Sequence, residues 1–294
     1  MRHLATTLSV ISVLSSSPFA LANKLGEPAP QRMKLAKGEG PRIVYLHGLG
    51  GGPGSMSTRF GRALAKAGVT GKMVAPWLRP MQIVGGGELR QVGNHTMSDQ
   101  IARAKAIIEE EPGPVVLIGH SFGGKLALKL ALDMPDRVVG VVGLAPSVKM
   151  LHAYYKQLTG RSGLPADKAE IAGVLAREHA RLVRKAEETD FGWGDVHYNE
   201  TMADLIQHDE PVSDRGPNKP MLVFHGTHDQ AVSIHYVRRL AQDNPAVTLK
   251  EYAGFGHGLD LYVAKGRRWV FDRKATNRAT GEMARLIKDY IDTL

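Results

Sequence analysis

VVLIGHSFGGKLAL, residues 115–128, passes from an apolar run through a turn of small residues into a helical pattern. The run is apolar without alternation, as expected of a strand covered by helices on both faces. Ser121 stands at the apex of the turn between Gly119 and Gly123. Glycine at those two positions removes side chains where strand and helix approach closely, so the serine between them can hold a strained conformation with its hydroxyl exposed. A helix starting beside it points free N–H groups, and the positive end of its dipole, at that hydroxyl. The turn is either the seat of a nucleophile or an ordinary strand-to-helix connection. What decides is whether the rest of the chain supplies a base, an acid and donors for an anion.

The same rhythm extends outward. Apolar runs at 42–48 (RIVYLHG), 72–78 (KMVAPWL), 114–120 (PVVLIGH), 137–145 (RVVGVVGLA), 220–226 (PMLVFHG) and 247–253 (VTLKEYA) read as strands. Helical patterns fall between them: after a capping box at Thr96–Asp99, over about 123–133, over about 233–243, and in a closing amphipathic stretch over about 279–293. Strand and helix in alternation predict right-handed crossovers and a mostly parallel sheet flanked by helices. Between residues 147 and 218 no strand signal appears, and Ile171, Val174, Leu175, Leu182 and Val183 recur at helical spacing, which predicts a helical insertion. The segment around Gly85–Gly87 reads as a mobile loop.

Composition bounds the rest. Arg2, an apolar run at 4–14 and the small residues of ALA at 20–22 have the anatomy of a secretory signal peptide cut after Ala22. The expectation is an exported protein, periplasmic or secreted. Residues 23–41 read as a linker, with a short edge strand around Met33–Ala36. Cysteine is absent, which excludes disulfides, a thiol nucleophile and thiolate metal sites. The formal net charge of +9 suits weak contact with an anionic membrane or cell-wall surface. No nucleic-acid recognition module is present. The basic stretch KGRRWVFDRK (265–274) interleaves cations with Trp269 and Phe271; it reads as a hairpin that is either solvated or in contact with an anionic surface. The sequence does not set an oligomeric state.

An alcohol is a poor nucleophile at neutral pH and needs a base, a group that orients the base, and donors for the developing oxyanion. GFGHG (254–258) places His257 in a glycine-flanked loop after the last strand. In FHGTHDQAVS (224–233) Asp229 follows a strand end, where it is a candidate acid or the cap of the next helix. No carboxylate directly follows the strand at 137–145. In YLHGLGGGPGS (45–55) a strand opens into a glycine-rich loop whose N–H groups can turn inward. The Leu49 N–H is the first choice of oxyanion donor beside the Phe122 N–H, with Gly50 the nearest substitute. A phosphate-cradling loop there would need a Lys-Ser/Thr pair that is missing. His225 and His228 form an H-x-x-H pair at a strand end without an evident third ligand, so no metal is expected. Met150, Tyr154, Tyr155, Trp193 and Met202 in the insertion either line an acyl pocket or form the insertion's own core.

HGLGGG (47–52), GHSFGG (119–124), HGTHDQ (225–230) and GFGHG (254–258), in this order, resemble the α/β-hydrolase superfamily over residues 42–293. The resemblance implies the α/β-hydrolase fold and a Ser121–Asp229–His257 triad. It also implies an oxyanion hole from Leu49 and Phe122, no cofactor, and a cap at about 147–218 over the site. It implies a small-molecule acyl substrate, an ester or thioester first and an amide or peptide second, with a non-catalytic ligand-binding protein as the rival. Two departures stand out. Little room is left before residue 42 for the usual first two strands, so a shortened sheet is expected. GGPG (51–54) is similar to the proline iminopeptidases, but there it follows the histidine directly, whereas here Leu49 and Gly50 intervene.

Overall fold

A computed structural model describes residues 28–55, 57–78, 81–83, 89–91, 96–161, 163–189, 193–214, 217–265 and 268–294. The expected leader at 1–22 and the loop at 85–87 lie outside the described residues. Seven strands form the main sheet: β1 (Gln31–Lys34), β2 (Arg42–Leu46), β3 (Lys72–Ala75), β6 (Val115–His120), β7 (Val138–Leu144), β8 (Met221–Gly226) and β9 (Val247–Tyr252). Their order is β1-β3-β2-β6-β7-β8-β9. Every neighbouring pair is parallel except β1 with β3, which is antiparallel. The edge strand expected around Met33–Ala36 is therefore present two residues earlier.

The strand runs are apolar throughout because alternate side chains enter two different cores. Val44, Leu46, Val115 and Leu117 point into one, together with Ile101 and Ile107 of α2 (Met97–Glu110), Leu126 of α3 (Phe122–Asp133) and Val237 of α7 (Ile234–Asp243). Ile43, Tyr45, Val116 and Ile118 point into the other, against Phe60 and Leu64 of α1 (Ser57–Lys66) and Met283 and Ile287 of α8 (Arg273–Ile291). Edge strand β9 has only Val247 buried, and Lys250 and Glu251 face outward. Such charges discourage another strand from pairing there.

The insertion between β7 and β8 holds α4 (Met150–Thr159), α5 (Lys168–Thr189) and α6 (Trp193–Asp214), all helical as expected. Helix α4 stops at Gly160, whose φ of 73° suits glycine alone at low cost. Tyr154, Tyr155 and Met202 are buried in the core. Of the aromatic and methionine candidates only Met150 reaches the cavity described below, and the Trp193 side chain lies outside the described residues.

Two features were not expected from the sequence. Helix α1 follows the glycine-rich loop directly. Strands β4 (Met81–Ile83) and β5 (Leu89–Gln91) pair as a small antiparallel sheet on either side of the segment read as a loop. The stretch at 265–274 contributes to the expected hairpin, formed by β10 (Tyr262–Lys265) and β11 (Arg268–Phe271). No helix among the described residues is long and apolar enough to cross a membrane.

Candidate active site

Ser121 sits between β6 and α3 with φ 54° and ψ −121°, a conformation that costs a non-glycine residue about 1–3 kcal/mol. The surrounding backbone compels it. A Cβ on Gly119 would stand 2.3 Å from the Gly123 carbonyl oxygen, and one on Gly123 would stand 2.0 Å from that of Leu46. The Ser121 N–H donates to the Leu144 carbonyl at 2.9 Å, and its own carbonyl accepts from Gly124 at 2.9 Å and Ser147 at 3.0 Å. The elbow is thus tied to its own helix and to the turn after β7. Ser121 Oγ lies 3.4 Å from Ser147 Oγ. No sequence pattern marks that buried hydroxyl neighbour, which lies just beyond β7.

Asp229 and His257 are brought together from two loops. His257 Nδ1 donates to Asp229 Oδ2 at 2.8 Å. Asp229 Oδ1 accepts the N–H groups of Ala231 at 2.9 Å and Val232 at 2.8 Å. The carboxylate therefore closes the turn ahead of α7 instead of capping the helix, whose N-cap is Ser233. His225 Nε2 lies 3.2 Å from Asp229 Oδ2 and 3.1 Å from the Val232 carbonyl, so its single N–H is shared between them. Nδ1 of the same ring is buried with no hydrogen-bond partner among the described residues. His225 thus serves the Asp229 carboxylate and does not pair with His228, which meets Thr227 Oγ1 at 3.3 Å. Burial acts to raise the Asp229 pKa, but the hydrogen bonds from His225, His257 and Val232 prevail and hold it far below the usual carboxylate range.

The loop of His257 is fixed from both sides. The His120 Nε2–H donates to the His257 carbonyl at 3.1 Å, and the two rings lie 5.0 Å apart. Burial, with the neighbouring His257 adding to it, pushes the His120 pKa down to about 4, so its ring is neutral at physiological pH. From α1, Arg59 Nη2 donates to the Gly258 carbonyl at 2.8 Å. Neither role was visible in the sequence: Arg59 and Gly258 are 199 positions apart.

Phe122 opens α3, so its N–H has no acceptor within the helix. Opposite it, a Cβ on Gly48 would come within 3.2 Å of Ser121 Cβ, which places the glycine-rich loop against the elbow. Buried His47 fixes this loop: its Nδ1–H donates to the Gly48 carbonyl at 2.9 Å and its Nε2 accepts the Leu78 N–H at 3.2 Å. Leu49 and Gly50 line a cavity of about 400 Å³ together with Ser121 and His257. Met150 of α4, Tyr198 of α6 and Tyr236 of α7 form its apolar walls. The cavity thus lies between the strand ends and the helical cap. The arrangement brings a hydroxyl and an imidazole oriented by a buried carboxylate to one cavity, with the glycine-rich loop beside them.

A family described as serine aminopeptidase, S33, matches residues 92–260. The lipase LipV of Mycobacterium tuberculosis is 27% identical over 127 residues, 43% of this chain and 45% of that protein. The sn-1-specific diacylglycerol lipase ABHD11 of Mus musculus is 34% identical over 159 residues, 49% of this chain and 46% of that protein. The chain spans about half the length of the curated relatives it matches. Among solved structures, the alpha/beta hydrolase domain-containing protein 10 from mouse superposes with a TM-score of 0.57 at 18% identity, over 90% of this chain and 93% of that one. That likeness is one of fold. With the sheet, the cap and the family match over more than half of its length, the chain belongs to the serine aminopeptidase S33 family of α/β hydrolases.

Proposed function

We propose that the chain is a serine hydrolase that cleaves a carboxylic ester or thioester through an acyl-enzyme. The observation that carries this reading is the 2.8 Å bond from His257 Nδ1 to the buried, ionised Asp229, on a histidine that lines one cavity with Ser121. With Nδ1 committed as a donor, Nε2 bears the lone pair. His257 Nε2 takes the proton of Ser121 Oγ as that oxygen attacks the carbonyl carbon. The N–H groups of Leu49 and Phe122 hold the tetrahedral oxyanion. Collapse breaks the bond to the leaving group, which receives the proton from His257. Water then attacks the acyl-enzyme with His257 again as base, releasing the acid and restoring Ser121. The apolar walls at Met150, Tyr198 and Tyr236 suit an acyl chain, and the names of the two lipase relatives point the same way.

Asp195 of α6 also lines the cavity and gives a specific ground for a second reading, hydrolysis of an amide next to a substrate amino group. The test is a series of nitrophenyl esters of increasing acyl length beside aminoacyl nitroanilides. Ester hydrolysis is expected, falling by several orders of magnitude in Ser121→Ala and by about 10⁴ in kcat for Asp229→Asn. Full activity in Ser121→Ala would refute the mechanism, and nitroanilide turnover without ester turnover would select the second reading.

A further inference from the structure

Among the described residues the well-exposed large hydrophobic side chains are Tyr262, Trp269, Val270, Phe271 and Leu294, and four of the five lie on the β10–β11 ribbon. The ribbon is a two-stranded sheet of its own, apart from the main sheet. Its register sets Tyr262 opposite Phe271 and Ala264 opposite Trp269, so these four side chains share one face. The Tyr262 and Phe271 rings lie 5.6 Å apart, and Trp269 is 72% exposed. Scattered exposed hydrophobes are ordinary, but a cluster of aromatics on a projecting ribbon marks a contact surface.

Charge says what the surface meets. Arg268 stands on the ribbon, and Arg273 and Lys274 open α8 at its foot, all three exposed. The nearby Asp272 is engaged as the N-cap of α8, accepting the Ala275 N–H at 2.8 Å. Aromatic side chains beside a group of cations fit the headgroup region of an anionic bilayer, where Trp and Tyr settle at the interface and Lys and Arg meet phosphates. A second copy of the chain fits less well. At 150–250 Å² for a whole aromatic side chain, the exposed fractions of Tyr262, Trp269 and Phe271 amount to about 240–400 Å². A stable dimer buries about 800 Å² on each partner.

We propose that the β10–β11 ribbon docks the protein on an anionic lipid surface. Tyr262, Trp269 and Phe271 then enter the headgroup–acyl boundary while Arg268, Arg273 and Lys274 face lipid phosphates. The ribbon is tied to the His257 loop and to α8: Leu261 bridges Phe255, its N–H donates to Thr276 Oγ1 at 3.0 Å, and its carbonyl accepts from the Asp272 N–H at 2.8 Å. The docking itself does not depend on the chemistry assigned to Ser121.

The experiment is co-sedimentation of the full chain with vesicles of equal parts phosphatidylglycerol and phosphatidylcholine, and with phosphatidylcholine alone, at low and high salt. The wild type and Ser121→Ala are expected to bind the anionic vesicles equally, and less as salt rises. The Trp269→Ala/Phe271→Ala variant is expected to lose roughly tenfold or more in partitioning. The Arg268→Glu/Lys274→Glu variant is expected to lose the preference for anionic vesicles, and both variants should melt as the wild type does. Folded variants that sediment like the wild type overturn the proposal. A wild type that stays in the supernatant with both vesicle types also overturns it. If that protein is a dimer in the ultracentrifuge and the aromatic variant is not, the ribbon is a self-association surface instead.

Discussion

His120 stands one position before Ser121 and holds the His257 backbone through a single N–H. In the unfolded chain its imidazole takes up a proton as pH falls through 6.5, whereas in the folded protein it does so only near 4. Across that window the unfolded state binds the extra proton, so stability declines as pH falls. Asp229 acts at lower pH with the same sign: its depressed carboxylate stabilises the fold above the ordinary carboxylate range, and the contribution is lost as pH drops through the folded value. His120→Gln retains an N–H for the His257 carbonyl but removes the titration. Urea unfolding between the two pKa values of His120 should therefore show a shallower acid loss, by up to about 1.4 kcal/mol per pH unit. An unchanged slope would mean that the ring is already protonated in the folded state. Ser121, Asp229 and His257 were legible in the sequence because each sits in a short pattern with a local cause: close-approach glycines, a strand end, a glycine-flanked loop. His120 and Ser147 were not, since their roles arise from partners supplied by other loops, and His225 was read only as half of an H-x-x-H pair although its partner Asp229 stands four positions on.

At the scale of elements, β2, β6, β7 and β8 were legible because burial on both faces leaves unbroken apolar runs. Helix α1 was not. It buries only Ser57, Phe60, Gly61 and Leu64, and its start is hidden behind a glycine-rich loop. Yet α1 carries Arg59, whose guanidinium clamps the His257 loop through the Gly258 carbonyl. Arg59→Met is expected to lower kcat by about ten- to a hundredfold through displacement of the imidazole, with KM nearly unchanged. Arg59→Lys, which keeps a donor, should recover part of the loss. A fall in melting temperature with no change in kcat would instead reduce Arg59 to a packing residue.

The whole molecule is a core and a cap, and among the described residues a polar cluster of Ser98, Asp204 and His208 joins them. Asp204 of α6 accepts the Ser98 N–H at 2.6 Å and the Ser98 hydroxyl at 2.9 Å, so the cap supplies a capping group to the start of α2. Ser98 Oγ also lies 2.9 Å from His208 Nε2. Asp204→Ala is expected to cost about 1–2 kcal/mol by thermal unfolding and to speed limited proteolysis within residues 150–214 ahead of the core. Equal proteolysis of cap and core would argue against a separately loosened cap. The cap has a further property that follows from strand direction. Because β7 and β8 are parallel neighbours, the chain between them must travel back along the length of the sheet. Helix α6 makes that return journey, seated on α2, α3 and α7, while α4 and α5 pack against it and send Leu151, Tyr155, Ile171 and Leu175 into the same core. Of the cavity's roof, the course of α6 is therefore constrained by the topology of the sheet beneath it, whereas the wall given by Met150 and Ala153 of α4 is not bound to that return.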